Sequence, residues 1–235
     1  MGVAIPDRKI LEGLLDEQFS EPASRYFFGL FQRGPVEIAS SIEDIEPFED
    51  GGFFERNRLF TIRARDVRLE GACLPAGGTY GVFAYDGQRL LYLQGNPKTR
   101  AERLGELLAS EGKPLDSGDP ARLASLFFEC LYREGNDSHE LIPSEEALLS
   151  YQQLEFPYEV NKKELPKVSE RLKPPAIVDD GVHGWRISAL SVHGWMHRKT
   201  TLSETDIAVS RDFKVTHRQT ALSKAIFSST PGLRY

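Results

Sequence analysis

The chain has 235 residues, of which 40% are hydrophobic and 27% charged, and its formal net charge is −6 at pH 7. This composition is that of an ordinary globular protein, long enough for one large domain or two small ones. The acidic balance argues against a general nucleic-acid binder, because contacts to phosphate dominate the affinity of such proteins and require a basic surplus.

Two helices are predicted at the start of the chain. Apolar residues recur at helical spacing from Ile10 to Phe19. A second helix is predicted between Ser20 and Gly34, because Ser20 is a typical N-cap and glycine a typical residue beyond a helix end. Its aromatic run, Tyr26 to Phe31, would be buried in the monomer or would dock onto a partner.

A small antiparallel sheet is predicted next. Phe60, Ile62 and Ala64 alternate with polar residues, and the pattern continues one residue out of phase at Val67 and Leu69, which indicates a strand with a β-bulge near Arg65-Asp66. Asp86-Gly87 lies between two apolar runs and indicates a hairpin with a two-residue type I′ turn. That turn pairs Phe83 with Leu90. Both faces of the hairpin are apolar, so we expect it to be covered on both sides.

Further helices are predicted between Asn96 and Gly112, between Asp119 and Gly135, and from Ser144 onward, because each segment begins at a capping residue. The segment Tyr151 to Pro175 is polar and interrupted by prolines, which is typical of a linker. The chain then becomes strand-like, and an antiparallel meander is predicted from about Ile177 to Thr220.

The run of strands, then helices, then strands predicts an α+β fold. A helical N-terminal part surrounds a small antiparallel sheet, and a C-terminal antiparallel β-meander follows. The corresponding domains are an α+β domain at 1–150, a helical, proline-punctuated linker at 151–175 and a C-terminal antiparallel sheet at 176–235. If the two parts share one sheet, the chain is instead one continuous domain.

No targeting or membrane segment is recognised in the sequence. Residues 1–6 lack a basic region followed by an apolar core, and no window holds about 18 uncharged apolar residues. The two cysteines, Cys73 and Cys130, form no CxxC pair and are too few for a secreted disulfide scaffold. We therefore expect a cytoplasmic protein with no membrane partner.

A four-residue repeat is the most distinctive local feature. Val182-His183-Gly184-Trp185 recurs ten residues later as Val192-His193-Gly194-Trp195, and both tryptophans of the chain lie in it. On a regular strand the odd-numbered residues from His183 to His197 share one face. Tryptophan and histidine bury an apolar body and keep a polar tip, so such a face packs on a core or binds a ligand. The predicted binding residues are Trp185, His193, Trp195 and His197.

A metal site at this repeat is not predicted. His193 and His197 have the spacing of the two zinc ligands in a zincin helix, but Gly194 stands where that motif has its glutamate. The neighbouring residues favour a strand, on which positions four apart are about 13 Å apart. Two ligands of one zinc ion cannot be that far apart, so a bulge at Gly194 and a third ligand such as His217 would be needed.

The sequence does not decide whether the protein is an enzyme. No catalytic signature is present, and aromatic residues concentrate at Tyr26–Phe31 and Trp185–His197, which favours a non-enzymatic binding or protein-interaction module. The expected partner is another protein or a second copy of the chain, and no cofactor is expected. The alternative is a hydrolase-type enzyme with a His-rich site, with or without a metal, that uses His193, His197 and His217.

Overall fold

The computed structural model describes residues 7–19, 24–27, 30–33, 37–65, 67–69, 78–95, 97–132, 138–151, 158–195, 198–223 and 226–229. Contacts divide the chain into two compact units. The first holds Met1–Asn136 and Asp212–Lys214, and the second holds Asp137–Arg211 and Val215–Tyr235. The domain limits at residues 150 and 175 stay a prediction. Among the helices in the described ranges, none is long and apolar enough to cross a membrane.

The first unit combines helices with two antiparallel sheets. Its helices are α1 (Arg8–Phe19), α2 (Pro97–Glu111) and α3 (Pro120–Tyr132). Its strands are β1 (Ser24–Phe27), β2 (Leu30–Arg33), β3 (Ile42–Pro47), β4 (Arg58–Arg65), β5 (Val67–Arg68), β6 (Gly78–Tyr85) and β7 (Leu90–Tyr92). The strand orders are β2-β1-β5 and β3-β4-β6-β7.

The second unit is built on a larger sheet. Its helices are α4 (Glu145–Ser150) and α5 (Leu165–Val168). Its strands are β8 (Ser138–Leu141), β9 (Tyr158–Val160), β10 (Ala176–Asp179), β11 (Trp185–Trp195), β12 (Arg198–Val209), β13 (Val215–Ser223) and β14 (Phe227–Ser229). The main sheet has the order β10-β11-β12-β13, with β8 also paired to β11, and β9 pairs with β14.

The α+β class is confirmed, but the arrangement within it differs from the prediction. The described residues between Ser20 and Gly34 form strands β1 and β2, so the helical N-terminal part is not confirmed. Tyr26 is the register partner of Phe31 in this hairpin, and aromatic residues favour strands. In the second unit β8 joins the sheet, so its order is not that of a simple meander.

The predicted helix ends in the first unit have clear physical causes. The Oδ1 atom of Asp119 accepts hydrogen bonds from the N–H groups of Ala121 at 3.0 Å and Arg122 at 3.3 Å, which caps α3. Helix α2 stops at Gly112, whose φ of 66° is a left-handed conformation that favours glycine. The proposed cap Asn96 and the proposed end Gly135 lie outside the described residues.

The hairpin at Asp86-Gly87 forms, but its turn is longer than predicted. Tyr85 pairs with Leu90, and Phe83 pairs with Tyr92 rather than with Leu90. The Oδ1 atom of Asp86 accepts the N–H groups of Gln88 and Arg89, both at 2.9 Å, and so organises a four-residue loop. Burial alone would raise the pKa of the Asp86 carboxyl group, but these hydrogen bonds stabilise its charged form and hold the pKa below its usual value.

The two-residue change in register leaves the predicted burial intact. A shift by two positions returns every side chain to the same face of the sheet. Phe83 and Val82, which lie on opposite faces of β6, are accordingly 1% and 0% exposed. The hairpin is therefore covered on both faces, as predicted.

Tyr92 carries a buried hydroxyl group inside this apolar core. Its ring lies 4.8 Å from that of Phe83, and its hydroxyl has no hydrogen-bond partner in the part of the chain that the structure describes. Burial raises the pKa of the phenol. Gly81 is required beside it, because a Cβ atom there would lie 2.4 Å from Cε2 of Tyr92.

Removing that hydroxyl should not destabilise the protein. Tyr92→Phe is expected to leave the free energy of unfolding unchanged or to raise it by up to about 1 kcal/mol, because a buried, unpaired polar group is removed. Tyr85→Phe is the matched control. It should cost about 1 kcal/mol, because the Tyr85 hydroxyl donates to the carbonyl oxygen of Gly87 at 2.8 Å. Thermal unfolding followed by circular dichroism compares the two, and an equal loss in both would contradict this account.

Candidate interaction surface

The two copies of the Val-His-Gly-Trp repeat adopt different structures. The first copy forms a 3₁₀ turn, Gly181–His183, that enters β11, and its Gly184 has a φ of 103°. The second copy lies within β11, where the register shifts between His193 and Trp195. Because His183 is exposed in the turn, it does not belong to a continuous face of β11.

Trp185 is covered rather than open to a ligand. It is 4% exposed, and the guanidinium carbon of Arg211 lies 4.3 Å from the centre of its ring. Nε of Arg211 donates to the carbonyl oxygen of Gly181 at 2.8 Å, and Nη2 donates to the Asp179 carboxylate. We call this set of contacts the Arg211 clamp. It holds the turn between β10 and β11 against the turn that follows β12.

The Arg211 clamp should contribute measurably to stability. Arg211→Ala is expected to lower the free energy of unfolding by about 1–2 kcal/mol, because a cation–π contact to a buried ring and hydrogen bonds to Gly181 and Asp179 are lost. Arg211→Lys should recover only part of this, since an ammonium cannot stack as a planar guanidinium does. Urea unfolding followed by tryptophan fluorescence measures the difference.

Arg186→Ala is the control for that experiment. Arg186 makes an exposed ion pair with Asp180 at 3.9 Å, and removing such a pair changes stability by less than about 1 kcal/mol. If Arg211→Ala costs no more than Arg186→Ala, the clamp carries little free energy.

The structure does not bring His193 and His217 together. His193 pairs with Thr201 of β12, whereas His217 pairs with Ile207 of the same strand. These two positions are six residues apart, which is about 20 Å along a strand. His197 and the side chain of His193 lie outside the described part of the chain, so the catalytic role of the three histidines stays a prediction.

Strand pairing instead brings His193 next to a histidine from a distant segment. His139 of β8 is the register partner of His193. No local pattern links two residues separated by more than fifty positions, so the sequence could not reveal this pair. The next residue of β8, Glu140, has its carboxyl pKa raised by burial. Among the described side chains, no group of three or more His, Cys, Asp or Glu residues could hold a metal.

Cys130 is the one described cysteine, and it is not placed for chemistry. Its side chain is fully buried in α3, and burial raises the pKa of the thiol. A thiol that is both inaccessible and held in its protonated form is a poor nucleophile.

The exposed surface of the sheet lies on the side opposite Trp185. Two cross-strand rows form this surface, which we call the outer face. The first row is Val178, Arg186, Ala208 and Thr216, and the second is Ala176, Ser188, Asp206 and Arg218. All are exposed except Ser188, whose hydroxyl donates to the Asp206 carboxylate at 2.8 Å. These exposed residues lie on the face opposite Trp185, whereas further along the same strands Leu190, Val192 and Leu202 are buried.

Strand β13 forms one edge of this sheet. It has nine residues, and among the described strands it pairs with β12 alone. Residues 218–221 at its centre are all exposed, so both faces of the strand are open there. We call this the β13 edge.

Three other edge strands of the two units have features that hinder pairing with a further strand. Strand β3 carries three acidic residues and ends at Pro47, β7 has only three residues, and β10 directly follows Pro174-Pro175. Short length, charge and proline are the usual means by which proteins block unwanted pairing at a sheet edge. The β13 edge has no proline and a single formal charge, Arg218, and its central residues 218–221 are exposed, whereas its register with β12 shifts near Ser223.

Comparison with protein-family models, curated protein sequences and solved structures finds no match to this chain.

Proposed function

We propose that this protein is a non-enzymatic protein-interaction module, and that it binds an extended polypeptide segment by pairing it with the β13 edge. The observation that carries this proposal is the nine-residue length of an edge strand that has no proline and one charge. The outward main-chain groups of such a strand form a template for another strand.

Affinity and specificity would come from different parts of the edge. Main-chain hydrogen bonds supply affinity in this mode of recognition, while alternate side chains supply specificity. Arg218 is the register partner of Asp206 on β12, and its exposed guanidinium lies on the outer face beside the edge. We therefore expect bound segments to carry a neutral or acidic residue opposite Arg218 and β-branched residues at the positions around it.

Selection of nine-residue peptides from a random display library tests this proposal. Methylation of alternate peptide nitrogens should abolish binding, whereas methylation of the nitrogens between them should be tolerated. This two-residue period is the signature of strand pairing, because only every second N–H points at the neighbouring strand. Tolerance of methylation at every position, or selection of no peptide, would contradict the proposal.

Two proline variants provide the matched control. Of the neighbouring residues Gln219 and Thr220, one directs its N–H towards β12 and the other directs it outward. Gln219→Pro and Thr220→Pro should therefore differ in thermal stability, and the stable variant should have lost peptide binding. A stable variant that still binds the selected peptides would place their site elsewhere.

A second candidate function is a hydrolase-type enzyme with a His-rich site, and the register pairing of His139 with His193 is the observation that favours it. Elemental analysis of the purified protein, with His139→Ala and His193→Ala variants as controls, tests the metal form of this candidate. A stoichiometric metal that both substitutions remove would support it. The absence of metal from the wild-type protein, together with no hydrolysis of ester and phosphoester substrates, would eliminate it.

A further inference from the structure

We infer that the loop formed by residues 55–57 is a preorganised binding site for a carboxylate, and that the side chain of Glu111 occupies it as an intramolecular ligand. Successive backbone N–H groups that converge on one point form an anion-binding concavity. This site goes beyond the proposed function, because it belongs to the first unit, whereas β13 belongs to the second.

The donors of the 55–57 loop match both oxygens of a planar carboxylate. Oε2 of Glu111 accepts the N–H group of Glu55 at 2.9 Å and that of Arg56 at 3.2 Å. Oε1 accepts the N–H groups of Arg56 and Asn57 and the side-chain amide of Asn57, each at 2.9 Å. Because each oxygen is held by at least two donors, the site selects a carboxylate over a spherical anion such as chloride.

Hydrogen bonds hold the negative charge at this site. Glu111 is 4% exposed. Two neighbouring cations bond to other groups, since Lys113 pairs with Glu55 at 2.5 Å and the Arg56 guanidinium donates to the carbonyl oxygen of Ser110 at 2.9 Å. Hydrogen bonds to a charged acceptor are about twice as strong as those between neutral groups. We therefore expect binding to depend on the shape of the anion more than on ionic strength.

The 55–57 loop is anchored on both sides by contacts that do not involve Glu111. Before it, Phe54 is 2% exposed and its N–H group donates to the Asp50 carboxylate at 3.1 Å. After it, Leu59 is 4% exposed in β4 and its carbonyl oxygen accepts the N–H group of Phe48 at 2.9 Å. The N–H donors should therefore stay converged when the Glu111 side chain is shortened.

The length of the truncated side chain determines which free acid fits the vacated site. Glu111→Ala removes Cγ, Cδ and both carboxylate oxygens, which are the heavy atoms of acetate. Glu111→Gly removes Cβ as well, and the lost atoms are then those of propionate. Each variant should prefer the acid that replaces the atoms it has lost, because a larger acid overfills the site and a smaller one leaves a void.

Thermal unfolding of the full chain at pH 7, followed by circular dichroism, tests this inference. Acetate at ten times its dissociation constant should raise the folded-to-unfolded ratio of Glu111→Ala about elevenfold, which raises Tm by about 3–6 °C above the value in equimolar chloride. Propionate should stabilise Glu111→Gly more than acetate does, and acetate should be the better ligand of Glu111→Ala. If either variant is unfolded in chloride, the matching acid should restore its folded spectrum.

The wild-type protein and Glu106→Ala are the controls. The site is filled in both, and Glu106 is an exposed carboxylate on the same helix, so acetate and chloride should act alike on each. Protection of the amides of residues 55–57 from hydrogen exchange should return when acetate is added to Glu111→Ala. No advantage of acetate over chloride in Glu111→Ala, or an equal advantage in Glu106→Ala, overturns the inference. The same preferred acid in both Glu111 variants overturns it as well, because the acid then binds elsewhere.

Discussion

Glu111→Ala is expected to lower the free energy of unfolding by about 3 kcal/mol. Glu111 is 4% exposed at the end of α2, and its carboxylate accepts the N–H groups of Glu55, Arg56 and Asn57. The side-chain amide of Asn57 donates to the same carboxylate at 2.9 Å. We call these contacts the Glu111 clamp.

The size of the effect follows from what the substitution leaves behind. Hydrogen bonds to a charged acceptor each contribute about 1.5–3 kcal/mol, and they are not additive when they share one carboxylate. The N–H group of Asn57 would remain buried without a partner, since Asn57 is 5% exposed. Losing one strong bond and leaving one buried donor unpaired accounts for the expected 3 kcal/mol.

Thermal unfolding followed by circular dichroism measures this effect, and hydrogen exchange at the amides of residues 55–57 should accelerate in the variant. Glu106→Ala is the control, because Glu106 is an exposed carboxylate on the same helix. It should change stability by less than about 0.5 kcal/mol. Equal stability of the two variants would show that the clamp does not stabilise the fold.

Gly184→Ala is expected to destabilise the second unit by at least about 3 kcal/mol. Its φ of 103° is unfavourable for any residue with a Cβ atom, which costs about 1–3 kcal/mol. A Cβ atom at this position would also lie 2.1 Å from the carbonyl oxygen of Val209 and 2.7 Å from Cα of Ser210. Both neighbours are backbone atoms, so they cannot move aside as a flexible side chain can.

Gly181→Ala in the same turn separates the two causes. Gly181 has a positive φ of 59°, but nothing lies within 4 Å of its Cβ position. That substitution should cost only about 1–2 kcal/mol, which is the usual penalty for a left-handed residue with a side chain. Both tryptophans lie in the second unit, so urea unfolding followed by their fluorescence reports on it. A cost for Gly184→Ala no larger than that for Gly181→Ala would contradict the steric explanation.

The parts of the fold that could be predicted depend on local chemistry. Helix α3 begins after its cap Asp119 and helix α2 ends at Gly112, two residues whose capping or conformational preferences act within one turn, so the sequence reveals these two ends. The burial of both faces of the hairpin at Asp86-Gly87 follows from its pattern of apolar residues. The register of the hairpin does not follow from this pattern, because it depends on which backbone N–H groups donate to the Asp86 side chain.

The parts of the fold that the sequence does not predict depend on competition between alternative secondary structures or on contacts between residues far apart in the chain. The aromatic run from Tyr26 to Phe31 is compatible with a buried helix and with a hairpin, and strand pairing decides between them. Strand β8 joins β11 across many intervening residues, so nothing near His139 indicates its position beside His193.

For a similar reason, the sequence predicts only part of the candidate site. The repeat around Trp185 stands out in the sequence, but burial of that side chain depends on Arg211, which comes 26 positions later and stacks on its ring. The β13 edge has no distinctive motif. Its position at the edge of the sheet follows only from the sheet order, which the sequence does not reveal.

The Glu111 clamp also has a consequence for how the protein folds. Its hydrogen bonds join residues 54 to 56 positions apart, so they can form only after α2 and the segment before β4 have come together. Contacts that require the closure of a long loop and are confined to one carboxylate tend to form after the transition state for folding. We therefore expect the clamp to leave the folding rate nearly unchanged and to slow unfolding, so that it extends the lifetime of the native state.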